Sequence, residues 1–131
     1  VCTARRSALA AVAGQALPVR RYHFAYDGYT TGPGVAPTAF HGLELVYIFA
    51  AWGAVEAGPL EYQPNADDLA LSQRLQAAWA RFAATGDPAG ADLPWPVYAS
   101  ADDNGALLDE PPDVFTGVRT VQCDFWDMLL P

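Results

Sequence analysis

Two histidines occur in the 131 residues, and one of them stands where an imidazole could do chemistry. His41 lies in Ala39-Phe40-His41-Gly42-Leu43-Glu44-Leu45, between small or apolar neighbours and directly before a glycine. Histidine is the residue type best suited to take up and release a proton during a reaction. The run that follows, Leu45 to Trp52, is apolar throughout and calls for burial. His41 is therefore expected at the lip of a core segment, either as a structural residue or as a general base. His23 sits on the mixed face of an alternating aromatic stretch, with no His, Cys or carboxylate at ligand spacing, and reads as structural.

A nucleophile to partner His41 is harder to find. No G-x-S-x-G occurs, and Ser7, Ser72 and Ser100 have no elbow context. Gly28-Tyr29-Thr30-Thr31-Gly32 mimics the motif with threonine, but an elbow must open a helix and Pro33-Gly34 is a poor start for one. Asp102-Asp103-Asn104-Gly105 lacks the alternating ligands and distant glutamate of a calcium loop and reads as a solvated turn. No metal site and no cofactor are expected. Cys2 and Cys123 lie near opposite ends of the chain. Spacing leaves two readings open, a pair of buried free thiols or a disulfide closing nearly the whole chain into one loop.

The elements that must position these residues follow from pattern and punctuation. Thr3 to Gln15 is rich in helix formers, with Leu9, Val12, Ala13 and Ala16 on one side and Gly14 and Pro18 marking its end. Tyr22, Phe24 and Tyr26 alternate with less apolar residues, the period of a strand. Breakers from Gly28 to Thr38 imply a surface loop, and a second loop spans Gly53 to Asn65. The clearest helix then begins, capped by Asn65 or Asp67, with Leu71, Leu75, Ala78, Trp79, Phe82 and Ala83 at helical spacing and Gly86 and Pro88 as its stop. Leu93 to Tyr98 is expected to be extended, and the Asn104-Gly105 pair to turn a hairpin into Leu107-Leu108. Val114 to Thr120 reads as a strand, and Cys123 to Leu130 as a closing helix with Phe125, Trp126 and Leu129 inward.

Composition narrows the function classes. The chain has the length of one domain and 52% apolar residues, enough for one core. Fifteen acidic residues stand against seven basic ones, all arginine, for a net charge of −8. A nucleic-acid partner is therefore not expected. No stretch is long and apolar enough for a membrane span. The start after Arg5-Arg6 is too short and Ala-rich for a signal peptide.

Several motifs occur in a characteristic order. They are Phe40-His41-Gly42 with Glu44 and Phe49, Leu71-Ser72, Trp79-Ala80-Arg81-Phe82-Ala83 through Thr85-Gly86-Asp87-Pro88, Trp95-Pro96, and Cys123-Asp124-Phe125-Trp126. In order and spacing this series resembles the C-terminal part of the type-B carboxylesterase and cholinesterase family. The resemblance implies an α/β fold, residues 1–131 forming the C-terminal portion of a longer α/β-hydrolase with a few strands of its sheet and flanking helices. It places His41 on the catalytic histidine of a serine hydrolase acting on carboxylic esters. Glu44 falls on an acidic position that is not the triad acid. Nucleophile, triad acid and oxyanion segment are expected upstream, so the 131 residues alone are expected to be inactive. Cys2 and Cys123 match a disulfide of many secreted members, which favours that bond and a secreted or periplasmic location. Leu43 and Phe49 are expected to help line the substrate pocket. The implied partners are an ester substrate and the N-terminal part of the same hydrolase. The alternative is a cholinesterase-like adhesion or binding module that keeps the fold and has lost catalysis.

Overall fold

A computed structural model of the chain describes residues 1–28, 39–54, 56, 57 and 60–129. Most of the loop expected from Gly28 to Thr38, including the Thr30 mimic, lies outside the described residues, as does Leu130. The elements in order are α1 (Cys2–Gly14), β1 (Tyr22–Phe24), α2 (Leu43–Phe49), a 3-10 turn (Trp52–Ala54), β2 (Glu56–Ala57), β3 (Leu60–Glu61), α3 (Ala66–Thr85), β4 (Asn104–Leu108), β5 (Asp113–Thr116) and α4 (Thr120–Leu129). Two sheets form. β1, β4 and β5 make one in that order, with β1 parallel to β4 and β5 antiparallel to it, and β2 and β3 pair as an antiparallel ribbon. The ribbon falls inside the stretch read from sequence as a loop. Two-residue strands carry too little periodicity to announce themselves.

The core lies where α2 and α3 meet the sheet. Leu43 and Tyr47 from α2, Leu71, Leu75 and Ala78 from α3, and Ala106 and Leu108 from β4 are fully buried within one cluster that also holds Phe24, Tyr26 and Trp95. The start and stop of α3 match the expectation: the Asn65 side chain accepts from the backbone N–H of Asp67 and Asp68, and Gly86 ends the helix with φ 77°. Its inward face is narrower than expected. Phe82 is 49% exposed, and Ala83 also faces outward. The alternation around β1 holds for Phe24 and Tyr26, both buried, while Tyr22 is partly exposed at the strand's start.

Three more expectations change. In α1 the one buried residue is Ala8, while Val12 and Ala13, and Ala16 beyond the helix end, are exposed, because alanine-rich sequence gives the helix little apolar asymmetry. Long-range ties orient it instead: the Cys2–Cys123 disulfide, with Cα atoms 5.0 Å apart, and the Arg5–Asp124 and Arg6–Asp127 pairs, each 2.6 Å. The same ties turn α4 so that Cys123 is buried and Phe125, Trp126 and Leu129 are exposed, opposite to the expected orientation. The apolar run Leu45–Trp52 is likewise only partly inward. It forms a helix whose Leu45 and Phe49 face out.

The Asn104-Gly105 pair is not the hairpin turn. Both residues lie in β4, opposite Thr116 and Phe115. A Cβ on Gly105 would come within 2.6 Å of the Arg21 carbonyl oxygen and of the Phe115 ring, so only glycine fits the close approach. The turn precedes the strand, with the Asp103 N–H donating to the Ala99 carbonyl at 2.9 Å, and Asn104 closes it by bonding Ala99 N and Val97 O.

Asp103, read as solvated, is buried. It pairs with buried Arg21, and its Oδ1 also accepts from the Tyr98 hydroxyl at 3.1 Å. The Arg21 guanidinium lies 5.9 Å from the Tyr98 ring centre and 5.2 Å from that of Phe115. Removing one partner of such a pair strands the other charge. Asp103→Asn is expected to lower the unfolding free energy by about 3 kcal/mol, and adding Arg21→Met to recover part of that loss. Denaturant titration of the two variants measures the difference.

Candidate active site

His41 owes its presentation to a backbone corner. Gly42, at φ 87° and ψ −3°, is the N-cap of α2 and turns the chain in the left-handed region, which glycine enters without strain. The Leu43 N–H donates to the Phe40 carbonyl at 3.2 Å, closing the turn around the histidine. Leu43, fully buried, anchors the first turn of the helix, and His41 is left exposed beside it. A fixed element thus carries an accessible imidazole.

His41 lines a groove of about 680 Å³ between α1, β1 and the start of α2. The groove also takes Glu44 from α2, His23 and Tyr22 from β1, and Ser7 from α1. Burial raises the Tyr22 pKa, and the nearby charge of Glu44 adds to the effect. Burial lowers the His23 pKa, and the charges of Arg119 and Arg21 add to the effect. At neutral pH that ring is therefore biased toward its uncharged form. It stands edge-on to Phe115, with centroids 6.3 Å apart.

None of the three serines, all among the described residues, stands on an elbow beside His41. The Ser72 hydroxyl is buried and donates to the Tyr47 carbonyl at 2.6 Å. Ser7 reaches the groove from within α1, whereas an elbow serine stands on a sharp strand-to-helix turn. Leu43 lies beneath α2, away from solvent, and Phe49 is 73% exposed at the far end of that helix, about 9 Å along its axis. Neither lines the groove with His41. Among the described residues, no His, Cys, Asp or Glu cluster could hold a metal ion, and no helix is long and apolar enough to cross a membrane.

Sequence reasoning did not find Asp68, whose fully buried carboxylate gathers tyrosines from three parts of the chain. A partial signal exists, since Asn65 and Asp68 have the spacing of a capping box. Nothing local signals that Tyr26, Tyr47 and Tyr62 converge on it.

The mixed sheet with flanking helices is that of a portion of an α/β-hydrolase fold. The carboxylesterase family model matches residues 2–126, and the chain belongs to that family. It is 30% identical over 128 residues to an acetylcholinesterase of Leptinotarsa decemlineata, covering 91% of this chain and 18% of that protein. It is 35% identical over 96 residues to an acetylcholinesterase of Gallus gallus, covering 70% of this chain and 12% of the other. Its fold is similar to that of a Geobacillus stearothermophilus carboxylesterase, with a TM-score of 0.69 and 28% identity over 92% of this chain and 24% of the solved one. The chain thus spans under a quarter of the length of each of these proteins.

Proposed function

We propose that this chain is the C-terminal portion of a serine hydrolase acting on carboxylic esters, and that it supplies the catalytic histidine, His41. The observation that carries this reading is the presentation of that residue: an exposed imidazole on a glycine-capped corner, at the edge of a groove, in a carboxylesterase-family chain. In the complete enzyme His41 accepts the proton of a serine hydroxyl as its oxygen attacks the ester carbonyl. It returns that proton to the departing alcohol. In the second half-reaction it takes a proton from water, whose oxygen attacks the acyl-enzyme, and restores it to the serine. The serine, the carboxylate that orients the ring and the oxyanion donors come from the rest of the polypeptide. The Cys2–Cys123 bond suits a secreted or periplasmic location, where an oxidising environment preserves it.

The two halves of the proposal separate in one assay. The 131 residues alone are expected to hydrolyse no p-nitrophenyl ester above background, and the complete polypeptide to do so with full loss of activity after a serine-directed phosphonate. Phosphonate-sensitive hydrolysis by the 131 residues alone overturns the division of the site between two parts of the enzyme. A complete polypeptide without hydrolysis, and with its elbow serine replaced, is instead a binding module.

A further inference from the structure

The carboxylate of Asp68 lies outside the groove, and its environment is unusual for a residue that only caps a helix. Asp68 occupies the third position of α3 and is fully buried. Its Oδ1 accepts from the Tyr47 hydroxyl at 2.8 Å, and its Oδ2 from the Tyr62 hydroxyl at 2.5 Å and the Asn65 N–H at 2.7 Å. The Tyr26 hydroxyl interacts with the same carboxylate. Among the described residues Asp68 has no salt-bridge partner. Phenol hydroxyls, a backbone N–H and the positive end of α3 replace the cation that a buried carboxylate ordinarily requires. Burial, reinforced by Asp68, raises the pKa of Tyr26 to about 12 and drives those of Tyr47 and Tyr62 upward too. All three therefore remain donors at neutral pH.

What the carboxylate holds explains the arrangement. Tyr26 ends the buried part of the β1 segment, Tyr47 lies inside α2, and the stretch between them carries His41. Both flanks of the histidine's segment are thus tied to one buried group. The Tyr47 backbone is tied to α3 as well, its carbonyl accepting from the Ser72 hydroxyl at 2.6 Å. The Tyr47 ring packs against those of Phe24, Tyr26 and Trp52, at 5.4, 5.6 and 5.0 Å. A Cβ on Gly28 would fall 2.2 Å from the Tyr26 hydroxyl oxygen, so the backbone entering the segment lies directly on that anchor. α2 has only seven residues, too few to hold its own position, and its register against α3 sets where the corner at Gly42 points.

We propose that Asp68 is a positioning residue for His41, acting through Tyr26 and Tyr47 to fix the two flanks of the segment that carries the imidazole. The proposal rests on the reading of His41 as the general base. A displacement of about 1 Å at such a base can cost two orders of magnitude in rate, so small movements of α2 have a kinetic signature.

The test uses the complete polypeptide, with active sites titrated to completion by a phosphonate so that kcat refers to folded enzyme. Asp68→Asn removes an acceptor oxygen from the cluster and is expected to lower kcat about 10- to 100-fold with KM within about twofold. Tyr47→Phe keeps the ring packing and leaves Asp68 bonded to Tyr62 and Asn65. It is expected to lower kcat about tenfold, and to add little in the Asp68→Asn background. Leu108→Ala, a core cavity in β4, is the control: it lowers the melting temperature and leaves kcat per titrated site unchanged. If Asp68→Asn and Tyr47→Phe behave like Leu108→Ala, the positioning role is overturned. If Asp68→Asn does not fold, Tyr47→Phe alone decides by the same criterion. Full activity in His41→Ala would instead overturn the reading of His41, and this proposal with it.

Discussion

His41→Ala in the complete polypeptide is expected to lower kcat for ester hydrolysis by at least about 10³-fold while leaving KM within a few-fold of its original value. Loss of a general base removes an interaction that strengthens only as the proton moves, so the deficit falls on the chemical step. The structure separates this effect from misfolding. In the 131 residues His41 is exposed on a corner held by Gly42 and Leu43, so the unfolding free energy of these residues is expected to change by less than about 0.5 kcal/mol. Steady-state kinetics of the complete polypeptide and a denaturant titration of the 131 residues measure the two quantities. A variant within tenfold of the parent kcat would mean that another group carries the proton. The acid limb of the pH–kcat/KM profile supplies a second readout, because the ring that must be unprotonated to accept a proton is gone.

Cys2→Ala with Cys123→Ala is expected to remove about 4 to 5 kcal/mol of stability. The disulfide joins residues 121 apart, and the chain-entropy model assigns that much to so long a loop. What remains between α1 and α4 cannot offset the loss. Asp124 is more than half exposed beside Arg5, and the Arg6–Asp127 pair is about one-third exposed on each side, so each pair contributes at most about 1 kcal/mol. Hydrogen bonding to Asp124 does raise the Arg5 pKa. That shift has no consequence near neutral pH, where the guanidinium is charged in any case. Comparison of denaturant midpoints with and without reductant, and between parent and double variant, tests the figure. A difference below about 1 kcal/mol would show that α1 and α4 stay docked without the bond.

The parts of the fold legible in the sequence are those whose causes lie within a few residues. Asn65 and Gly86 bound α3 because a cap and a left-handed stop act on the adjacent turn. The ordered motifs from Phe40 to Trp126 sufficed to indicate the carboxylesterase family. The disulfide is a different case. Its two cysteines left free thiols and a bond equally open, and only the family resemblance favoured the pairing that the structure contains.

What tertiary structure decided is which face turns inward and which distant groups meet. Phe125, Trp126 and Leu129 are as apolar as any core residues, yet Cys123 and the arginine pairs of α1 fix the rotation of α4 and leave them outside. Asn104-Gly105 has the composition of a turn, but Arg21 and Phe115, remote in sequence, require a glycine within the strand. Asp103 looked solvated until Arg21 and Tyr98 were brought to it. Asp68 is the strongest instance, because a carboxylate is tolerated in the core only when enough donors surround it, and here Tyr26, Tyr47 and Tyr62 arrive from separate elements. The sequence placed His41 and Gly42 at the lip of an apolar segment that calls for burial. That this segment forms α2, and where the corner at Gly42 points, was decided only by packing against α3, since burial and hydrogen bonding are settled by neighbours in space.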